Sequence, residues 1–508
     1  MRLALFLVWA ATAAWLAWGH VFWRDEVRAL SLALAGDSVA AMLRGVQGEG
    51  HPALWYLLLR GGHALIGKAA LPGVAFLIGA GAAALWCWRA PFRPLVIAVA
   101  LFGAFFVNEY TVLARNYGVS MLVLFAWAWA YPRWKQGGIG LGLLLAVLCN
   151  TNVPSVMLAG ALGLFWCVET LTQEGWRWTP AWRRWAINMG VALLGVLVCV
   201  ATVYPPAHDA AVSPLALQLG PATVLMAAVN ITAPFSALLP EAWWDVPLAT
   251  LLLAAMVVGA PLGLIRSPGG LAAGVAVMVA LPLFFQIVYP GGYRHQALYV
   301  CFLLTLYWLV AERGGGRWPA RAALLRGEVQ ALLQRFGPAA LLALLLTQLA
   351  ITATVVGARV QGVAYSRSAD LAALLQRERL GQAVVMADAD VVLEPLPYHA
   401  DNPIWLTRAG RWGKVVPFTK ANAFELRLAD LLATARALHG RTGRPVVIVT
   451  QQRLDPSAPA QVWEQGYLGA FSTTPADVRA FLGATRKLAA FDFAQTDESY
   501  DAYLLTRP

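Results

Sequence analysis

Charged residues are scarce in this sequence: of 508 residues, 13% are Asp, Glu, Lys or Arg, against 59% apolar. Soluble domains carry about 25% charged residues, so there is too little charge here to coat a water-exposed surface. A soluble globular fold is excluded, and so are disordered, collagen-like and disulfide-scaffold classes. Cysteine is sparse as well. All five, Cys87, Cys149, Cys167, Cys199 and Cys301, lie inside apolar runs with no C-x-x-C spacing. They read as packed apolar thiols rather than disulfides or zinc ligands. The sequence also lacks internal repeats, low-complexity tracts and any glycine-rich loop after a strand-like run, which leaves a nucleotide site without support.

What is present is a succession of apolar segments, near 2–20, 71–88, 94–108, 117–131, 138–150, 153–170, 185–204, 247–265, 270–289, 296–311 and 337–356. A crossing helix needs ~20 such residues, so the chain reads as a polytopic α-helical membrane protein with about 11 transmembrane helices. Trp9, Trp15 and Trp18 stand where a signal peptide would carry small residues, so the first helix is expected to be retained. The net charge of +11 divides unevenly: the part before position 357 holds 21 basic and 12 acidic residues, the remainder 17 and 15. The excess therefore belongs to loops between spans and not to a nucleic-acid-binding module. With the N-terminus in the cytoplasm, 14 of those 21 basic residues fall on the cytoplasmic side, among them Arg313, Arg317, Arg321, Arg326 and Arg335. That asymmetry favours about eleven crossings and an extracytoplasmic tail.

Two polar segments interrupt the series. His51 to Lys68 contains Arg60 and His63 and is expected to lie at, or dip into, the outer interface; a crossing there would invert several later loops. The outer loop at 205–246 contains His208, Asp209, Glu241 and Asp245. Its apolar stretch Ala222 to Leu239, followed by Trp243 and Trp244, suits a headgroup boundary. From Gly357 the pattern becomes that of an α/β domain. Helices are expected at Ala369 to Leu380 and Leu426 to Leu438, and strands at Ala383 to Ala387, Pro445 to Thr450 and Tyr503 to Leu505. The expected division is a membrane domain over 1–356, with outer loop 21–70, and an extracytoplasmic domain over 357–508.

Polar side chains that could carry chemistry cluster in the loops of one membrane face. The first outer loop holds Trp23-Arg24-Asp25-Glu26 and, further on, Glu49-Gly50-His51-Pro52 followed by Tyr56. Later loops hold Asn108-Glu109-Tyr110, Arg115-Asn116-Tyr117 and Tyr289 to His295, including Tyr293 and Arg294. Taken singly, the acids could be solvated loop residues with local ion pairs, and the arginines could simply snorkel to the interface. Taken together, carboxylates, guanidiniums and a histidine on one face suit an anionic lipid headgroup and a hydroxyl acceptor. An ion path would more often place acids at mid-membrane, and the spans are nearly free of them.

The order Asp25-Glu26, His51-Pro52-Ala53-Leu54 and Arg115-Asn116-Tyr117 resembles the GT-C class of polyprenyl-phosphate-sugar-dependent glycosyltransferases, which includes protein O-mannosyltransferases and lipid A aminoarabinose transferases. The segment Glu394-Pro395-Leu396-Pro397-Tyr398-His399-Ala400 resembles the class too. Two positions depart from the pattern: Ala53 stands where many members have a second proline, and the basic residue before Pro52 is His51. The resemblance implies a polyprenyl-phosphate sugar donor and transfer to a glycan, glycolipid or protein hydroxyl at the outer face of a bacterial inner membrane, with inversion. Asp25 is then expected to be the general base, and Glu26 to orient the acceptor or hold a cation. Arg294, His295 and Arg115 are expected to bind the donor phosphate. Glu49, His51, Tyr56, Glu109, Tyr117 and Tyr293 are expected to contact substrate. A divalent cation could sit among Glu26, Glu49 and His51. An O-antigen ligase or polymerase, a lipid-linked sugar flippase, and a binding module on a membrane anchor stay open as alternatives.

Overall fold

In a computed structural model the described residues are 1–206, 209, 231–313 and 327–506. His208, Arg317, Arg321, Arg326 and residues 222–230 of the expected interfacial stretch lie outside them. The first part is helical: α1 (Arg2–Trp18), α2 (Arg24–Ala33), α3 (Val39–Gly45), α4 (Leu54–Ile66), α5 (Ala70–Arg89), α6 (Pro94–Leu101) and α7 (Tyr117–Trp134). There follow α8 (Gly140–Cys149), α9 (Val153–Glu174), α10 (Pro180–Val203), α11 (Pro247–Leu262), α12 (Pro268–Ile287), α13 (Tyr293–Arg313) and α14 (Gly327–Val360). Sequence punctuation sets their starts. Proline opens α6, α10, α11 and α12, where its missing N–H costs no helical bond. Asn152 and Ser267 cap α9 and α12 through their side chains.

Each of the eleven expected segments contains a helix. Among the described residues, however, six stretches are long and apolar enough to cross a membrane by length and composition: Leu54–Arg89, Pro154–Glu174, Pro180–Val203, Pro268–Ile287, Tyr293–Glu312 and Gly327–Val360. The shorter apolar helices Arg2–Trp18, Gly140–Cys149 and Pro247–Leu262 fall below that length. The segment at 94–108 is not one helix. It breaks after Leu101 and resumes as a π-helical turn, Phe105–Glu109; at the break stands Gly103, where a Cβ would crowd the Phe105 ring and the Gln348 side chain. A window of apolar sequence joins what this turn separates.

The polar segment after His51 forms α4, which packs against α2 and folds back on α5 at Gly67, held at φ +61°. Arg60 donates to the carbonyls of Ala33, Ala35 and Gly36 at the end of α2. Lys68, beyond its far end, donates to the carbonyls of Pro397 and Tyr398. The middle of this 13-residue helix and the turn beyond its far end therefore meet elements on the side that carries the C-terminal domain.

That domain adds α15 (Ser368–Arg377), β1 (Val384–Ala387), α16 (Leu396–His399), β2 (Ile404–Leu406), β3 (Arg411–Trp412), β4 (Glu425–Arg427) and α17 (Leu428–Thr442). It continues with β5 (Val446–Thr450), β6 (Gln461–Glu464), β7 (Ala470–Thr473), α18 (Pro475–Ala484), β8 (Thr485–Phe491) and β9 (Tyr500–Leu505). Six strands form one sheet in the order β3-β2-β1-β5-β9-β8, and β4-β7-β6 form a small second one. β1 pairs in parallel with both β2 and β5, with Val385 opposite Val447. Alternation decides the packing. Val385, Ala387, Val447 and Val449 face α15, whereas Val384, Met386, Val446 and Ile448 face α17 and α18. The strands expected at 383–387 and 445–450 are the two central ones.

Ion pairs join this domain to the membrane part. Arg28 of α2 donates to both oxygens of Glu49, at 2.7 and 2.8 Å, to Glu394 at close range, and to the Val416 carbonyl at 3.0 Å. Glu394 also accepts from the Val416 amide at 2.7 Å. Arg24 makes a two-pronged contact with Asp497, at 2.5 and 3.0 Å, and its backbone amide donates to Glu498 at 2.8 Å. One guanidinium thus serves two buried acids. Burial pushes the Glu394 carboxyl up to about 7, even with Arg28 pulling it down. A carboxyl whose pKa is higher in the folded chain stabilises the fold while protonated, and that contribution is lost as pH rises through the folded value. The melting temperature of the detergent-solubilised protein is therefore expected to fall between about pH 5 and 8, and less steeply for Glu394→Gln. Equal slopes in differential scanning fluorimetry would remove Glu394 from that dependence.

Candidate active site

α2 begins behind Trp23, whose amide donates to Glu26 Oε2 at 3.2 Å. Asp25 and Glu26 then occupy the first turn, where the helix dipole favours negative charge. Glu26 is fully buried. Its Oε2 also accepts from His20 Nε2 at 2.7 Å, and its Oε1 accepts from the Ala114 amide at 2.6 Å. Both oxygens are committed to protein partners, so the side chain ties the loop before α7 to α2. These bonds and its complete burial assign Glu26 a structural place in the fold.

The Ala114 anchor delivers Arg115 to the neighbouring carboxylate. Asp25 Oδ2 lies 2.8 Å from Arg115 Nη1 and 3.6 Å from Arg294 Nη1. Arg294 enters from the start of α13. Its carbonyl accepts from the Tyr110 hydroxyl at 2.6 Å, its Nε lies 3.2 Å from Glu109 Oε1, and its guanidinium sits 4.9 Å above the Trp23 ring. Glu109 comes from the π-helical turn, a local geometry that often marks functional positions. Asp25 is the most open of the three, with its side chain 32% exposed against 10% for Arg115 and 17% for Arg294. Burial alone would raise its pKa, but Arg115, Arg294 and Arg24 together outweigh burial and hold it at about 2.

The Arg115 guanidinium also reaches His51 Nε2 at 3.0 Å. A guanidinium has no acceptor, so His51 is neutral and accepts there; burial and the Arg115 charge push its pKa down to about 3. Asn116 donates to the Thr151 carbonyl at 2.5 Å, and Ser120, Thr151 and Asn152 extend a buried hydrogen-bonded chain behind it. This chain fixes the loop that carries Arg115. Tyr117 meets His295 Nε2 at 2.7 Å. Among the described residues, three buried polar atoms of these side chains have no hydrogen-bond partner: Trp23 Nε1, Asn116 Oδ1 and His295 Nδ1. Buried polar atoms are rarely left unpaired, and these three are available to a polar ligand.

The remaining expected residues divide. Tyr56 is buried on α4 within electrostatic reach of Glu49, Arg28, Arg115 and Asp25. Tyr293 points elsewhere: its hydroxyl donates to Gln348 at 2.6 Å. The suggested metal set is not assembled. Glu49 gives both oxygens to Arg28, the His51 lone pair faces Arg115, and Glu26 is committed as described. Among the described residues no group of three or more His, Cys, Asp or Glu is arranged to hold a metal ion. Sequence reading passed over Trp23 as the platform under Arg294, although an interfacial tryptophan beside an acidic pair is a visible signal. It also passed over the Asn150-Thr151-Asn152 polar step, which a helix-start signature marks.

No protein-family model and no curated protein matches the chain. Among solved structures it is similar to ArnT from Cupriavidus metallidurans in the apo state, with 14% identity and a TM-score of 0.48, covering 99% of this chain and 97% of that one. It is also similar to ArnT from Cupriavidus metallidurans bound to undecaprenyl phosphate, with 14% identity, a TM-score of 0.46 and the same coverage.

Proposed function

We propose that the chain is an integral-membrane glycosyltransferase. It moves a sugar from a polyprenyl-phosphate donor to a hydroxyl acceptor at the outer face of a bacterial inner membrane, with inversion. The N-terminus is cytoplasmic and the C-terminal domain periplasmic in this reading. The observation that carries it is the placement of one accessible carboxylate, Asp25, against the two guanidiniums of Arg115 and Arg294. Phosphate and carboxylate are alternative ligands for the same planar fork. A donor phosphate entering between the arginines would draw them from Asp25 and release the carboxylate to act as a base. The acceptor oxygen then attacks the anomeric carbon as the bond to the phosphate oxygen breaks. The hydroxyl proton passes to Asp25, and the polyprenyl phosphate leaves with its negative charge held by Arg115 and Arg294. Attack opposite the leaving phosphate inverts the anomeric centre. His295 and Tyr117 stand beside this pair as further phosphate or sugar contacts.

Asp25→Asn is expected to keep expression and polyprenyl-phosphate binding but to lower sugar transfer by about 10²-fold or more, measured with radiolabelled donor in membranes. Near-normal turnover would refute the assigned base. Arg294→Ala is expected to weaken donor use, with Arg294→Lys recovering it only in part; unchanged dependence of rate on donor concentration would remove Arg294 from the phosphate site. The pH profile of kcat/KM is a third readout. With Asp25 held at about 2, the free enzyme shows no acid limb from this group above about pH 4, and Arg115→Ala moves that limb up toward the ordinary carboxylate range.

A further inference from the structure

A second polar cavity lies in the C-terminal domain, about 560 Å³ in volume and within the range of small-ligand sites, about 300–1,000 Å³. Its position follows from the topology. β1 has β2 on one side and β5 on the other, both parallel to it. The chain leaves β1 through α16 packed on one face of the sheet, and reaches β5 through α17 packed on the opposite face. The connections diverge between β1 and β5, which opens a crevice beyond their carboxyl ends, the place where open α/β sheets bind ligands. The residues following these two strands line the cavity: Ala389 and Val391 after β1, Gln451 and Gln452 after β5. Asp388 holds the crevice floor by accepting from the Ala389 and Gln451 amides at 2.8 and 2.9 Å.

The lining states what fits. Among the described residues Arg24 is its one cationic side chain, and Asp497 already holds it through two hydrogen bonds. Glu464 adds a further negative charge. The described lining therefore offers no free cation to a phosphate or sulfate. Instead the wall presents the Gln452 amide, the Glu464 carboxylate, the Ser499 hydroxyl and the ring and hydroxyl of Tyr467. Donors and acceptors are mixed, as vicinal hydroxyls require. Tyr467 is 40% exposed and braced edge-on by Phe418 at 4.7 Å, which leaves an aromatic surface in the cavity. The crevice also adjoins the candidate active site. Arg24 lines it while the next residue, Asp25, faces Arg115 and Arg294, and Tyr467 lies within electrostatic reach of Asp25.

We propose that this crevice at the carboxyl ends of β1 and β5 is a saccharide subsite that holds an uncharged, hydroxyl-rich glycan segment of the acceptor beside Asp25. The assignment of that glycan as acceptor rests on the glycosyltransferase reading; the binding of saccharide does not. The test is an array of defined microbial glycans probed with the full-length protein in nanodiscs, alongside Tyr467→Ala and Gln452→Leu variants whose folding is checked by melting temperature. Uncharged glycans are expected to bind, and each variant is expected to lose about tenfold or more in affinity, equivalent to about 1.4 kcal/mol. No bound glycan, binding confined to phosphorylated or sulfated glycans, binding of unglycosylated peptides instead, or glycan binding unchanged in both variants would each overturn the subsite. Polyprenyl-phosphate binding, followed on the same preparations by native mass spectrometry, separates the two readings. If wild type binds glycans but no polyprenyl phosphate, the transferase reading fails while the crevice stands.

Discussion

A charge held at the edge of an apolar slab must be paired, and α2 is the element on which this constraint bears hardest. Four of its first five residues are ionisable, and each finds its partner in a different part of the fold. Arg24 reaches Asp497 and Glu498, Asp25 reaches Arg115 and Arg294, Glu26 holds His20 and the Ala114 amide, and Arg28 binds Glu49 and Glu394. Helical geometry sorts these directions. Arg24 and Arg28 are four residues apart and share a face, and both turn to the C-terminal domain. Asp25 is rotated about 100° from Arg24 and faces Arg115 and Arg294. Of these pairs Arg28–Glu394 is buried on both sides, the setting in which removing one partner leaves an uncompensated charge at a cost of about 3–5 kcal/mol. One ten-residue helix therefore both contributes to docking of the C-terminal domain and places the candidate base.

The same constraint separates the acids by role. Glu26 is fully buried with both oxygens hydrogen-bonded, whereas Asp25 keeps 32% of its side chain exposed. Adjacent carboxylates in the sequence look interchangeable, but one is a strut and the other is available. Glu49 and His51, which sequence spacing suggested as metal ligands, are engaged by arginines, because in a site of low polarity a guanidinium is already present to claim each lone pair.

What was legible in the sequence was whatever periodicity and topology encode. Apolar runs gave the helices, and valine-rich runs gave the two central strands. Counting crossings put Asp25, Glu49, Arg115 and Arg294 on one face without any knowledge of distance. The number of crossings was less readable, since Gly103 breaks an apolar run whose composition is uniform. Short elements were invisible: β3 has two residues, and β6 alternates half-buried with exposed positions at a sheet edge. The Arg28–Glu394 pair was also beyond reach, since its members lie 366 positions apart and neither carries a signature that names the other.

The placement of the C-terminal domain follows from the chemistry proposed for Asp25. A carboxylate clasped by two guanidiniums is a weak base until an anion competes for those guanidiniums, so donor occupancy would set base strength. In that reading the acceptor reaches Asp25 from the side opposite the lipid phosphate, and Asp25 keeps about one-third of its side chain open. That side is roofed by the domain held through Arg24 and Arg28. A roof tied through Arg24 and Arg28 can present a polar wall to a hydroxylated ligand while keeping a fixed register with α2. In this arrangement the residues that dock the domain also set the distance between an acceptor bound beneath it and the carboxylate that would take its proton.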